Sequence, residues 1–164
     1  MGALDVDTAG LDLAELAREL TAGVRRVALH FAERPARGRP RLVREVVLQR
    51  DDECGLAIGA QTQRIDERLE VGRLTVRPAG RDGRADEQIT LPAVFGAGLA
   101  ASKLVVEEAG WTVTAGITLR AADGTELTIV AGDVPATIAI RGPGVEVTLW
   151  PEFDWDLYRR IPFR

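Results

Sequence analysis

The chain has 164 residues, 46% hydrophobic and 28% charged, with 25 acidic against 21 basic side chains for a net charge of −4. That length suits one domain able to bury about 70% of the surface its unfolded chain exposes. The acidic balance weighs against a nucleic-acid partner, no apolar run approaches the roughly 20 residues of a membrane span, and the single cysteine, Cys54, excludes an internal disulfide framework.

The opening MGALDVDTAG lacks the basic flank and apolar core of a signal peptide, and Val6 stands where myristoylation needs Ser or Thr. One cysteine and no leader make a reducing cytoplasm the expected location. Lys103 is the only lysine among many arginines, and Ala and Gly abound. A GC-rich bacterial genome accounts for that bias, so arginine clusters carry less functional weight.

Taken in order, the first eleven residues read as a frayed lead-in. Asp12 is a helix N-cap with Glu15 three residues on, the spacing of a capping box. Leu13, Leu16, Ala17 and Leu20 follow as one apolar stripe, and Gly23 is placed to end the helix. Val24 to Phe31 reads as a strand with Val27, Leu29 and Phe31 on one face. Residues 33–41 are a Pro/Gly/Arg loop. Leu42–Arg50 and Leu56–Gln63 form a hairpin with Asp51, Asp52 and Glu53 near its tip. Leu69–Val76 is a further strand, and its change of phase near Gly72 and Arg73 predicts a bulge.

Polar, turn-rich residues 78–88 are the expected linker. Beyond them come a short strand, Ile89–Leu91, a turn or short helix in PAVFGAG, and a strand from Leu99 to Glu107. In Trp111–Arg120, Trp111, Val113, Ala115, Ile117 and Leu119 alternate with polar residues, the period of a half-buried strand. The return strand presents Leu127, Ile129 and Ala131. A two-residue turn at Asp123-Gly124 would set Leu127 opposite Arg120, on the wrong face. A three-residue loop, Ala122-Asp123-Gly124, sets Leu119 opposite Leu127 and uses Gly124 for the left-handed third position. Ala136–Arg141 and Val145–Trp150 are two more predicted strands around Gly142-Pro143-Gly144.

The two hairpins echo each other. At an offset of 71, Val46, Leu48, Leu56 and Ile58 fall on Ile117, Leu119, Leu127 and Ile129, each on the same face. The sequence therefore predicts a mainly β protein, a two-sheet sandwich or flattened barrel with one short N-terminal helix. It is read as a single domain, with pseudo-repeats of antiparallel strands over about 13–77 and 89–150 and an aromatic tail at 151–164.

Catalytic signals are sparse. His30, the only histidine, stands out of phase with Val27, Leu29 and Phe31, with no nucleophile beside it in sequence. Cys54 adjoins an acidic turn that disfavours a thiolate. Asp51, Asp52 and Glu53, and Glu152, Asp154 and Asp156 in the tail, read as solvated turns without the pattern of a calcium loop. Arg25, Arg26, Arg34, Arg37, Arg39, Arg41 and Arg44 read as solvated too. No phosphate-binding glycine motif occurs, and Ser102 is the only serine. No catalytic, metal or cofactor residue is assigned.

The tail is the distinctive segment. Trp150, Phe153, Trp155, Tyr158 and Phe163 are five of the eight aromatics, set among Arg159, Arg160 and Arg164. Such residues suit either a core clasp or a binding surface. Because the rest of the chain is poor in large side chains, the tail is expected to fold back and close the open end of the sandwich. Trp150, Phe153, Trp155, Tyr158, Arg159 and Arg160 form the candidate binding surface. The leading expectation is a non-enzymatic protein-binding module of adaptor or immunity type. The alternative is a small-ligand domain with a pocket between the repeats or under the tail. An enzyme is the least expected.

Overall fold

In the computed structural model, residues 2–32, 41–50, 54–80, 84–146 and 150–163 are described. Among them the chain is mainly β, with one α-helix, and its strands form an open antiparallel sheet. Strands β2 (Arg26–Phe31), β3 (Val43–Gln49), β4 (Gly55–Arg64) and β5 (Glu70–Ala79) run as an antiparallel meander, and β6 (Glu87–Thr90) returns to pair with β2. Strands β7 (Ala100–Glu108), β8 (Trp111–Arg120), β9 (Glu126–Ala131) and β10 (Ile138–Arg141) form another, and β11 (Arg159–Pro162) returns to pair with β7. One backbone pair, Ile138 with Val43, joins the two series.

The hairpin β8–β9 has the register its apolar pattern demands. Leu119 faces Leu127 and Ile117 faces Ile129. The Ala121 N–H donates to the Thr125 carbonyl at 2.9 Å, closing a three-residue loop in which Gly124 has φ +87°. In β3–β4 the matching pairs are Val46 with Ile58 and Leu48 with Leu56. These eight side chains are buried in one core with Val27, Leu29, Leu74, Val76 and Ile138.

Helix α1 (Leu13–Thr21) covers part of that core. The Asp12 carboxylate accepts the Ala14 N–H at 2.8 Å, and Leu16 and Leu20 are fully buried. Gly23 ends the helix at φ +122°, where a Cβ would sit 2.2 Å from the Gly96 carbonyl oxygen. A 3₁₀ turn at Ala93–Gly96 buries Phe95 alongside.

Two expectations need correction. The N-terminal residues are not a frayed lead-in: Gly2–Leu4 form β1, parallel to the start of β8, and Asp7 then bridges to Thr75 of β5. Short-range periodicity cannot register a strand whose partner lies more than 100 residues away. No bulge occurs at Gly72 and Arg73, where the β4–β5 register runs unbroken. The phase changes because β5 faces two cores, Leu74 and Val76 joining the main one and Val71 a smaller cluster with Val106, Val113 and Ala115. The register shifts fall instead between His30 and Phe31 and between Leu104 and Val105. Of the strand expected over Val145–Trp150, residues 147–149 lie outside the described residues. Among the described residues no helix is long and apolar enough to cross a membrane.

Candidate functional site

The outer face of β7–β10 is built in rows. Strand register aligns Arg160, Leu104, Gly116, Val130 and Ala139 across β11, β7, β8, β9 and β10. Two residues along, the next row is Pro162, Ser102, Thr118, Thr128 and Arg141. A side-chain period of two puts both rows on the face opposite Ile117, Leu119 and Ile129. The sequence reads this side of β8 as the polar one, yet Thr114, Gly116 and Thr118 are buried. Gly116 leaves room for its neighbours there, since a Cβ would lie 2.5 Å from a Val130 methyl, 2.9 Å from the Ile129 carbonyl oxygen and 3.2 Å from the Leu104 Cβ.

The tail is laid over this face. Its root is pinned by the Glu152 N–H, which donates to the Ala131 carbonyl at 3.0 Å. The Glu152 carboxylate turns inward and accepts the Gly72 N–H at 2.9 and 2.8 Å. Phe153 meets Tyr158 edge-on, their rings 6.3 Å apart, and both pack on the Val71–Val113 cluster. A 3₁₀ turn at Trp155–Leu157 then brings Trp155 and Tyr158 against Leu104, Val130 and Ala139.

Between tail and sheet lies a cleft of about 610 Å³. Leu104 and Thr128 line its floor, Trp155 and Tyr158 one wall, and the Gly124-Thr125 and Gly142-Pro143 turns its rim, with Glu126, Arg141 and Arg160 as its charged groups. Both Arg160 guanidinium nitrogens Nη1 and Nη2 donate to Glu126, one of them at 2.8 Å, and Arg120 stands 4.0 Å from the same carboxylate. Hydrogen bonding from Arg160 holds the Glu126 carboxyl below its usual range, and the same bonds raise the Arg160 guanidinium. Arg141 lies over the Trp155 ring, 5.2 Å from its centroid. Burial pushes the Tyr158 hydroxyl well above the ordinary tyrosine value, so it keeps its proton through the neutral range and cannot serve as a base there.

Three of the six residues singled out in the sequence, Trp155, Tyr158 and Arg160, meet in this cleft. The other three do not line it. Phe153 stands behind Tyr158. Arg159 alternates to the other face of β11 and pairs with Glu107 at 3.0 Å. Trp150 is 72% exposed, and its carbonyl accepts the Asp133 N–H at 3.0 Å. Leu104, Glu126, Thr128 and Arg141 were missed. Their only local trace is the alternation of their strands, because what assembles them is pairing between distant segments.

His30 faces Glu45 across β2–β3 and Cys54 is exposed, and neither lines the cleft. Arg41 pairs with Glu87 at 3.0 Å and covers Phe31, whereas Arg34, Arg37 and Arg39 lie outside the described residues, as do Asp51, Asp52, Glu53 and Arg164. Asp154 and Asp156 are exposed. Among the described residues no three His, Cys, Asp or Glu side chains are grouped to hold a metal ion. Compared with known proteins, the chain matches no family, no curated protein and no solved structure.

Proposed function

We propose that this protein is a non-enzymatic small-ligand-binding module whose site is the cleft beneath its C-terminal tail. The observation that carries this is the combination of a concave space of about 610 Å³ with a Trp155–Tyr158 wall and three charged side chains converging on it. That volume lies within the roughly 300–1,000 Å³ of typical ligand clefts, and the lining is about as polar as it is apolar. The accompanying architecture is a flattened barrel of two pseudo-repeats. Two features support it: the shared register of the β3–β4 and β8–β9 hairpins, and an N-terminal segment that contacts both β8 and β5.

The test is thermal unfolding of the intact chain against a panel of small aromatic and anionic compounds. At least one compound should raise Tm in the wild type and not in Trp155→Ala, which itself still unfolds cooperatively. A panel with no stabilising compound, or stabilisation that survives Trp155→Ala and Arg141→Met alike, overturns the proposal.

One observation favours a second reading, a protein-binding adaptor or immunity-type module. Trp150 is 72% exposed, and the backbone joins it to Asp133 beside Val134, 43% exposed. Exposed tryptophan is common at interaction hot spots. This reading requires a stoichiometric complex in the native host that Trp150→Ala breaks without unfolding the chain.

A further inference from the structure

We infer that the cleft takes a ligand bearing an oxyanion, a phosphate or a carboxylate, on a flat apolar body, and that Glu126 is an internal competitor for the arginines that bind it. This rests on the cleft being the ligand site.

The charge around Glu126 carries the inference. The chain as a whole has a net charge of −4, yet three guanidinium groups surround this one carboxylate. Arg160 grips it with two hydrogen bonds, Arg120 stands 4.0 Å away, and Arg141 acts on it through space. Three positive charges against one negative leave a local surplus of two, opposite in sign to the molecule. Among the described residues Arg141 makes no ion pair within 4.0 Å and lies over the Trp155 ring. A guanidinium carries its N–H donors in its own plane, in the fork that matches two oxygens of a carboxylate or phosphate.

The remainder of the lining sets the body of the ligand. Leu104, Trp155, Tyr158 and Pro143 give apolar surface directly beside that fork. A bare inorganic anion would leave this surface exposed to water, and a neutral aromatic would leave Arg141 unused. An oxyanion on a flat apolar group meets both. Its charge would compete with Glu126 for Arg160, so the native carboxylate lowers affinity and limits the cleft to ligands that offer the arginines more than Glu126 does.

The experiment is calorimetric titration of the intact protein with ADP, indole-3-carboxylate, adenosine and pyrophosphate. The first two separate a phosphate from a carboxylate source, and the last two remove the anion or the flat body. At least one of ADP and indole-3-carboxylate should bind more tightly than adenosine and pyrophosphate, and more weakly as salt rises. Glu126→Gln, which keeps the shape and removes the charge, should tighten that binding several-fold, and Arg141→Met should weaken it about tenfold, the loss of roughly one charge-assisted contact. Two results would overturn the inference while sparing the cleft: adenosine binding as well as ADP with Trp155 still required, or Glu126→Gln failing to tighten anion binding. If no probe binds in a Trp155-dependent way, the inference fails and the cleft loses its support with it.

Discussion

Glu152 holds a partly buried carboxyl that its surroundings disfavour in the charged form. Burial raises its carboxyl above the usual glutamate value, the Gly72 N–H works against that, and the charges of Asp133 and Glu108 add to it. The net direction is upward, so the folded state favours the protonated form relative to the unfolded chain. Its contribution to stability is therefore fully present below the unfolded value and is lost as pH rises through the raised folded one. Glu152→Gln retains an oxygen for the Gly72 N–H and removes the charge. It should be more stable than the wild type at pH 7 to 8 in urea unfolding, with the difference closing below about pH 4, near the unfolded glutamate value. A variant less stable than wild type at pH 8 would mean that the charged hydrogen bond outweighs the burial. Nothing in WPEFDWD marks Glu152 apart from Asp154 and Asp156, since its inward turn is decided by Gly72, 80 positions earlier.

At the scale of elements, the β8–β9 hairpin was legible in the sequence because its information is local. Alternation chose the face, the face chose the loop length, and the loop length required a left-handed residue where Gly124 stands. A Cβ on Gly124 would touch only Arg120, at 3.6 Å, so space is not what forbids a side chain there. Gly124→Ala should cost about 1–2 kcal/mol from φ alone, and Gly124→Asn less, because Asn tolerates the left-handed region. Gly116→Ala should cost about 1–3 kcal/mol for a different reason, overpacking against Val130 and Leu104. Equal losses for Gly124→Ala and Gly124→Asn in thermal unfolding would show that the loop's backbone strain is not the cause. The cleft behind the same hairpin was not legible, because its rows run across five strands whose order no local pattern encodes. The tail aromatics were identifiable as a segment expected to fold back, but not which of them, Trp155 and Tyr158, would meet the sheet while Trp150 stayed in solvent.

Across the whole molecule, two backbone seams join the meanders beside the core they share. One is the Ile138–Val43 pair, and the other is the N-terminal segment, which pairs with β8 through Gly2–Leu4 and reaches β5 at Asp7. Asp5 sits at the middle of that second seam. Its carboxylate accepts from Lys103 at 2.6 Å, Thr114 at 3.0 Å and its neighbour's N–H at 2.8 Å, while its carbonyl accepts from Arg73 at 2.5 Å. Lys103 is only 15% exposed and also lies 5.6 Å from the Phe163 ring, so the one lysine links the beginning and the end of the described chain. Burial pushes the Asp5 carboxyl upward, but the Lys103 hydrogen bond and the other donors outweigh it, and the net direction is downward. A depressed folded value means stability that is present above the unfolded Asp value and lost as pH falls through the folded one. Asp5→Asn should therefore cost about 1–3 kcal/mol at pH 7, the scale of hydrogen bonds to a charged group. The deficit should shrink as pH drops below the ordinary aspartate range, and hydrogen exchange should speed first in residues 2–7 and at the start of β8. Uniform loosening across both meanders would instead mean that the seam is not a separate unit, and that the second contact between the halves matters no more than any other part of the sheet.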